Sequence, residues 1–304
     1  MTRLPDIKKI HVDIDKIENE LITEKNISLS ILRLDKIHPQ VSGNKFFKLY
    51  YFLEKAISEQ KKIITFGGAY SNHLAAAAHA CKIFGIDCIG IVRGEESKIL
   101  SHTLLFCKEQ GMQLEFITRE NYKRKNDIDF EKKLDDKFGD HVLIPEGGHN
   151  REGSDGAALI SNFYRNEGFN YICCAVGTAT TLSGLISSSS HPQNVIGINV
   201  LKNLTDVDSR INSLLGDTLN KNLSLINDYH FGGYAKKSME LLLFMNKFYE
   251  EFAIPTDFVY TAKLMFGIFE LIKKKYFPVG SKIICIHTGG LQGNFSLPTG
   301  ALKF

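Results

Sequence analysis

The sequence predicts an α/β protein: parallel sheet covered by helices on both faces, in three layers. Two observations carry this. Short apolar runs alternate with helical patterns from about residue 27 to residue 287, and the turns that follow the runs are rich in glycine or hydroxyl side chains. Helices between successive strands act as crossover connections, which demand parallel pairing. Ligands of such sheets sit beyond the carboxyl ends of the strands, so the turns there are where chemistry is sought.

In chain order, residues 1–26 are charged and read as an arm or edge segment. Residues 27–34 alternate as a strand, and 46–57 show helical spacing. A strand at 62–66 runs into Gly67-Gly68 and a small-residue helix over 69–84. The theme recurs with strands at 88–92, 113–117 and 141–144, the last followed by Gly147-Gly148 and a helix from about residue 154. A strand at 171–176 leads into Gly177-Thr178-Ala179-Thr180-Thr181 and a helix, and a strand at 195–200 leads into a helix near residue 206. Helices over 236–251 and 261–276 and a strand at 282–287 close the pattern.

With 304 residues, 43% of them hydrophobic, the chain holds enough apolar material for one large or two medium cores, and two domains are expected. A net charge of +3 is too mild to argue for nucleic acid. Six cysteines without a C-x-x-C pair read as buried reduced thiols and fit a reducing cytoplasm. No run is long enough to span a membrane, and the start of the chain lacks the apolar core of an export signal.

Three stretches bear chemistry. Ser42-Gly43-Asn44-Lys45 lies at a loop-to-helix junction, where the positive end of the helix dipole favours a neutral, nucleophilic Lys45 amine. A lone lysine is more often a solvated surface group, so the other two stretches decide. Gly177 to Thr181 follow a strand and open a helix. Free backbone N–H groups, the dipole and hydroxyls meet there, as a phosphate requires, without a dinucleotide or Walker signature. Gly67-Gly68-Ala69-Tyr70-Ser71-Asn72 has the same placement and suits a carboxylate, although a simple helix-capping role for Ser71 explains the spacing as well. It is not the nucleophile elbow of a serine esterase. His73 and His79 fall on different helix faces, so no metal site is expected. A lysine, a Ser-Asn pair and a phosphate cradle on three turns together suggest pyridoxal 5′-phosphate.

Ser42-Gly-Asn-Lys45-x-x-Lys48-Leu49, Gly67-Gly68-x-x-Ser71-Asn72, Ile144-Pro145-x-Gly147, the cradle, Asp257-x-Val259-Tyr260-Thr261-x-Lys263 and His287-Thr288-Gly289-Gly290 occur in the order of the 1-aminocyclopropane-1-carboxylate (ACC) deaminase/D-cysteine desulfhydrase family. The sequence resembles those fold-type II pyridoxal-phosphate enzymes over nearly its whole length. The resemblance implies that Lys45 holds the cofactor aldehyde, Asn72 its ring hydroxyl, Gly177, Thr178, Ala179, Thr180 and Thr181 its phosphate, and Thr261 its pyridine nitrogen. Ser71 would receive the substrate carboxylate, and Tyr234 and Tyr260 would be the active-site tyrosines. It also implies a large domain of residues 1–47 and 148–304, a small inserted α/β domain of residues 48–147, and a homodimer.

Departures fall at Leu32 to Asp35, Phe47 and His73, all of which bear on the substrate pocket. ACC deaminases carry glutamate where Thr261 stands. A threonine is a weaker partner for the ring, adequate for α-proton loss followed by β-elimination, so D-cysteine desulfhydrase-like chemistry is expected and ACC ring opening is the alternative. Two further readings stay open: a cofactor-free hydrolase using Ser71 with His73 or His287 as base, and a protein that binds the ligand without turning it over.

Overall fold

Runs of β-branched residues buried on both faces pair in parallel, and the helices between them cover the sheets. A computed structural model describes residues 3–41, 43–216 and 222–304. Its strands are β1 (Ile14–Ile17), β2 (Ser28–Leu32), β3 (Lys62–Gly67), β4 (Cys88–Arg93), β5 (Gln113–Ile117), β6 (His141–Ile144), β7 (Tyr171–Val176), β8 (Asn194–Asn199), β9 (Leu223–Ile226) and β10 (Lys282–Ile286). The helices are α1 (Glu20–Glu24), α2 (Asn44–Glu59), α3 (Asn72–Phe84), α4 (His102–Glu109), α5 (Arg119–Lys123), α6 (Ile128–Phe138), α7 (Arg151–Ala158), α8 (Thr180–Ser188), α9 (Val207–Leu215), α10 (Met239–Phe252) and α11 (Thr261–Lys273).

Two sheets form, one in the order β1-β2-β10-β7-β8-β9 and one in the order β5-β4-β3-β6. All pairs are parallel except β1–β2. Successive strand residues serve opposite cores, as period-2 geometry requires. Cys173 packs beneath α11 with Phe248, Leu264 and Ile268, while its neighbours Ile172 and Cys174 pack with Phe47, Leu182 and Ile211 on the other face. In the second sheet Ile63 joins Leu74 and Ala77 of α3, and Ile64 joins Tyr122 and Leu134. Helix α2 serves both sheets, placing Phe47 in one core and Leu49, Phe52, Leu53 and Ala56 in another.

Several boundaries differ from the sequence reading, each for a local reason. Residues 14–17 form an antiparallel edge strand rather than a mere arm, with Ile17 buried and the charged Lys16 exposed, a pattern that keeps an edge soluble. Strand β9 is an addition that the four-residue Leu-Ser-Leu-Ile pattern barely announces. Helix α3 starts at Asn72 rather than 69, because Ser71 Oγ accepts from Leu74 N at 3.2 Å and caps it. The six cysteines are buried and free. No described helix is long and apolar enough to cross a membrane.

Candidate active site

The chain reverses its strand order beside β3 in one sheet and between β7 and β10 in the other, and ligand crevices open at such reversals. The carboxyl ends of these three strands deliver the turns starting at Gly67, Gly177 and His287 to one cavity of about 630 Å³.

Lys45 reaches it from the first turn of α2. Gly43 just before has φ +67°, and a Cβ there would stand 1.9 Å from Thr288 O, so only glycine lets the lysine loop lie on the turn after β10. Gly43 N donates to Leu34 O at 2.8 Å and Asn44 N to Thr288 O at 3.3 Å. Ser42, the first residue of the motif, lies outside the described residues. Lys45 Nζ donates to Asn44 Oδ1 at 2.9 Å, and Asn44 Nδ2 donates to Thr181 Oγ1 at 2.7 Å. Burial pushes the Lys45 ammonium down to about 8 against the opposing negative charge of Asp257.

The hydroxyl-rich turn is shaped by Ala179 at φ +64°, a left-handed residue that opens α8. Gly177, Thr178, Ala179 and Thr181 line the cavity. Thr180 does not: it is fully buried, its hydroxyl 3.0 Å from Thr178 Oγ1 and 3.3 Å from His149 Nδ1. It braces the cradle from behind.

Beside the cradle lies a group that the sequence reading quoted but gave no role. Lys48 is 3% exposed and lines the same cavity, and its side chain makes no hydrogen bond or ion pair with any described residue. Burial and the neighbouring Lys45 push its pKa well down. Burial likewise pushes His149 down to about 4, helped by Lys48 and Arg210. An orphaned buried cation next to free helix N–H groups is the donor set that a phosphate dianion satisfies. Its signal in the sequence was a lysine flanked by two core residues, Phe47 and Leu49.

Ser71 and Asn72 line the opposite wall. The Asn72 side chain has no hydrogen-bond partner among the described residues, and its Nδ2 lies 2.8 Å from where a Cβ on Gly290 would be, so Gly290 (φ +93°) keeps that space open. Tyr234 and Tyr260 also line the cavity, their rings edge to face at 6.3 Å. Burial raises both phenols, Tyr260 well above its usual value, so both stay protonated.

Thr261, expected beside the pyridine nitrogen, is 1% exposed, and its Oγ1 lies 2.7 Å from Asp257 Oδ2. The Asp257 carboxylate also accepts from the backbone N–H groups of Val259, Tyr260 and Thr261, which fixes the start of α11. A hydroxyl that lines the cavity from the β10 turn belongs to Thr288, whose side chain has no hydrogen-bond partner among the described residues.

The alternative serine–histidine hydrolase finds its base in neither His73 nor His287. His73 Nε2 is bonded to Thr65 at 2.9 Å, and His287 Nε2 donates to Pro255 O at 2.8 Å with Asp35 3.2 Å from its Nδ1. Neither is hydrogen-bonded to Ser71, whose hydroxyl caps α3.

The family model for pyridoxal-phosphate dependent enzymes matches residues 20–289. A protein of Thermotoga maritima described as a putative ACC deaminase is 33% identical over 273 residues, covering 84% of this chain and 86% of that protein. The mitochondrial bifunctional D-cysteine desulfhydrase/ACC deaminase of Arabidopsis thaliana is 26% identical over 291 residues, covering 87% and 73%. A solved structure of an ACC deaminase homologue superposes with a TM-score of 0.80 at 27% identity, covering 95% of this chain and 92% of its own. With cation, cradle and lysine assembled around one cavity, the chain belongs to the ACC deaminase/D-cysteine desulfhydrase family of fold-type II, pyridoxal-phosphate-dependent enzymes.

Proposed function

We propose that the protein catalyses β-elimination from a small amino acid of D configuration, in the manner of a D-cysteine desulfhydrase. The observation that carries this reading is threonine rather than glutamate at position 261, a side chain that bonds Asp257 and brings no carboxylate of its own toward the cavity. Glu146, the acidic residue in the cavity wall, is paired with Lys125 at 3.5 Å. A neutral hydroxyl near the ring nitrogen, which Thr288 would supply, would make the ring a modest electron sink, suited to losing an α-proton and then a good leaving group. The D configuration rests on the resemblance and on the name of the plant relative.

Pyridoxal phosphate, when bound, supplies an aldehyde for the substrate amine and a ring that takes up electrons from bonds broken at Cα. Lys45 would hold that aldehyde until substrate displaces it, and its Nζ, with a pKa near 8, then accepts the α-proton. Lys48 and the Gly177 to Thr181 turn would anchor the phosphate, with Thr180 as a brace. Asn72 would donate to the ring hydroxyl, and Ser71 with the first N–H groups of α3 would take the substrate carboxylate. Tyr234 and Tyr260, neutral and edge to face, close the pocket around a short side chain. Sulfide or chloride leaves as an anion, and the released enamine hydrolyses to pyruvate and ammonia.

The same reading assigns residues 1–47 and 148–304 to a large domain, residues 48–147 to a small one, and a homodimer as the assembly. Static light scattering checks the dimer, and limited proteolysis checks the domain boundaries.

ACC ring opening is the second reading, favoured by the names of the relatives. The holoenzyme is incubated with D-cysteine, β-chloro-D-alanine, L-cysteine and ACC, and keto acids are separated. Pyruvate from the D-substrates is expected. Formation of 2-oxobutanoate from ACC at a comparable rate transfers the assignment to ACC deaminase, and no keto acid from any of the four leaves a binding protein.

A further inference from the structure

Arg93 ends β4 at its carboxyl side, one residue past the pairing of Val92 with Gly67 on β3. It therefore stands beside the turn that carries Ser71 and Asn72. Its Nη2 comes within 3.3 Å of where a Cβ on Gly68 would be, and it lines the cavity. The guanidinium lies 5.7 Å from the centre of the Tyr122 ring, and Lys125 Nζ lies 4.9 Å from the same centre. Tyr122 is buried, so it is a rigid shelf for both cations. Of these two, Lys125 is answered by Glu146 at 3.5 Å. The Arg93 side chain has no hydrogen bond or ion pair with any described residue, and its charge is felt by Tyr234.

We propose that Arg93 pairs with a carboxylate-class anionic group of the amino-acid substrate, a contact that the family motifs do not carry. A planar, permanently charged fork held on an aromatic shelf at the ligand end of a parallel strand suits that group, and the neighbouring Ser71 turn brings it within the same cavity. Two groups of a substrate share this chemistry, the α-carboxylate and an acidic side chain. The inference rests on the functional reading above.

Calorimetric titration of the holoenzyme with ethylamine, alanine, asparagine and aspartate separates the possibilities, in wild type and in Arg93→Gln and Arg93→Lys. Arg93→Gln is expected to weaken carboxylated ligands about tenfold relative to ethylamine, with partial recovery in Arg93→Lys. A loss shared by alanine, asparagine and aspartate identifies the α-carboxylate as the partner; a loss confined to aspartate identifies a side-chain acid. If Arg93→Gln changes all four affinities equally, or none, the assignment is overturned. Protein that takes up no pyridoxal phosphate, judged by visible absorbance, overturns the functional reading as well, whereas a sound holoenzyme with unshifted affinities removes Arg93 alone.

Discussion

Asn44 Nδ2 donates to Thr181 Oγ1 at 2.7 Å, while Asn44 Oδ1 accepts from Lys45 Nζ at 2.9 Å. One amide thereby links the Lys45 amine to the hydroxyl-rich turn, the two places proposed above to hold the aldehyde and the phosphate of the cofactor. Asn44→Ala should loosen both contacts and weaken pyridoxal phosphate by roughly tenfold, the scale of one or two buried hydrogen bonds, measured by fluorescence titration of the apo-protein. An unchanged affinity would show that the amide is not a spacer.

Lys45 gives a pH dependence with a defined sign. Its ammonium is pushed down to about 8 by burial, so the neutral amine gains about tenfold per pH unit below that point and levels off above it. The rate of covalent capture of the cofactor by apo-protein, followed by absorbance, should trace that curve. Borohydride should then fix the label on Lys45, and Lys45→Ala should abolish it. Asp257 raises this pKa, so Asp257→Asn should move the curve to lower pH.

On the functional reading proposed above, Lys48 is a stability cost kept for binding. Replacing an unpaired buried ammonium by methionine should stabilise the apo-protein by on the order of 1–2 kcal/mol and weaken the cofactor by more than tenfold, read by thermal melting with and without pyridoxal phosphate. The pH trend agrees in sign for Lys45. Its folded pKa of about 8 lies below the ordinary 10.5, so the unfolded chain binds more protons between those values, and apo-protein stability should rise with pH across that window.

Thr261→Val removes a hydroxyl that bonds a fully buried carboxylate and also accepts from Asp257 N at 2.7 Å. The expected loss is about 1–3 kcal/mol in urea denaturation, with cofactor affinity changing less than in the Asn44 variant.

Much of this site was legible because glycine and hydroxyl residues after apolar runs mark βα turns, and Gly67, Gly177 and Gly289 do so plainly. Lysine 45, Ser71, Asn72, both tyrosines and most of the cradle reach one cavity. What escaped depends on contacts distant in sequence or on competition between partners. Nothing local says that Asn44 meets Thr181, or that Arg93 stands by Gly68. Thr261 is matched to the ring by resemblance alone, and the resemblance does not tell that its hydroxyl bonds the aspartate four residues earlier, a capping contact at the helix start.

Strand β10 separates β2 from β7, so the larger sheet cannot close until a segment about 250 residues after β2 has been made. The smaller sheet, by contrast, uses only strands between residues 62 and 144 and can close during synthesis. Nascent chains halted before residue 282 should therefore protect the amides of β3 and β4 from exchange while those of β2 and β7 stay open, so that the binding crevice is completed only once β10 is in place.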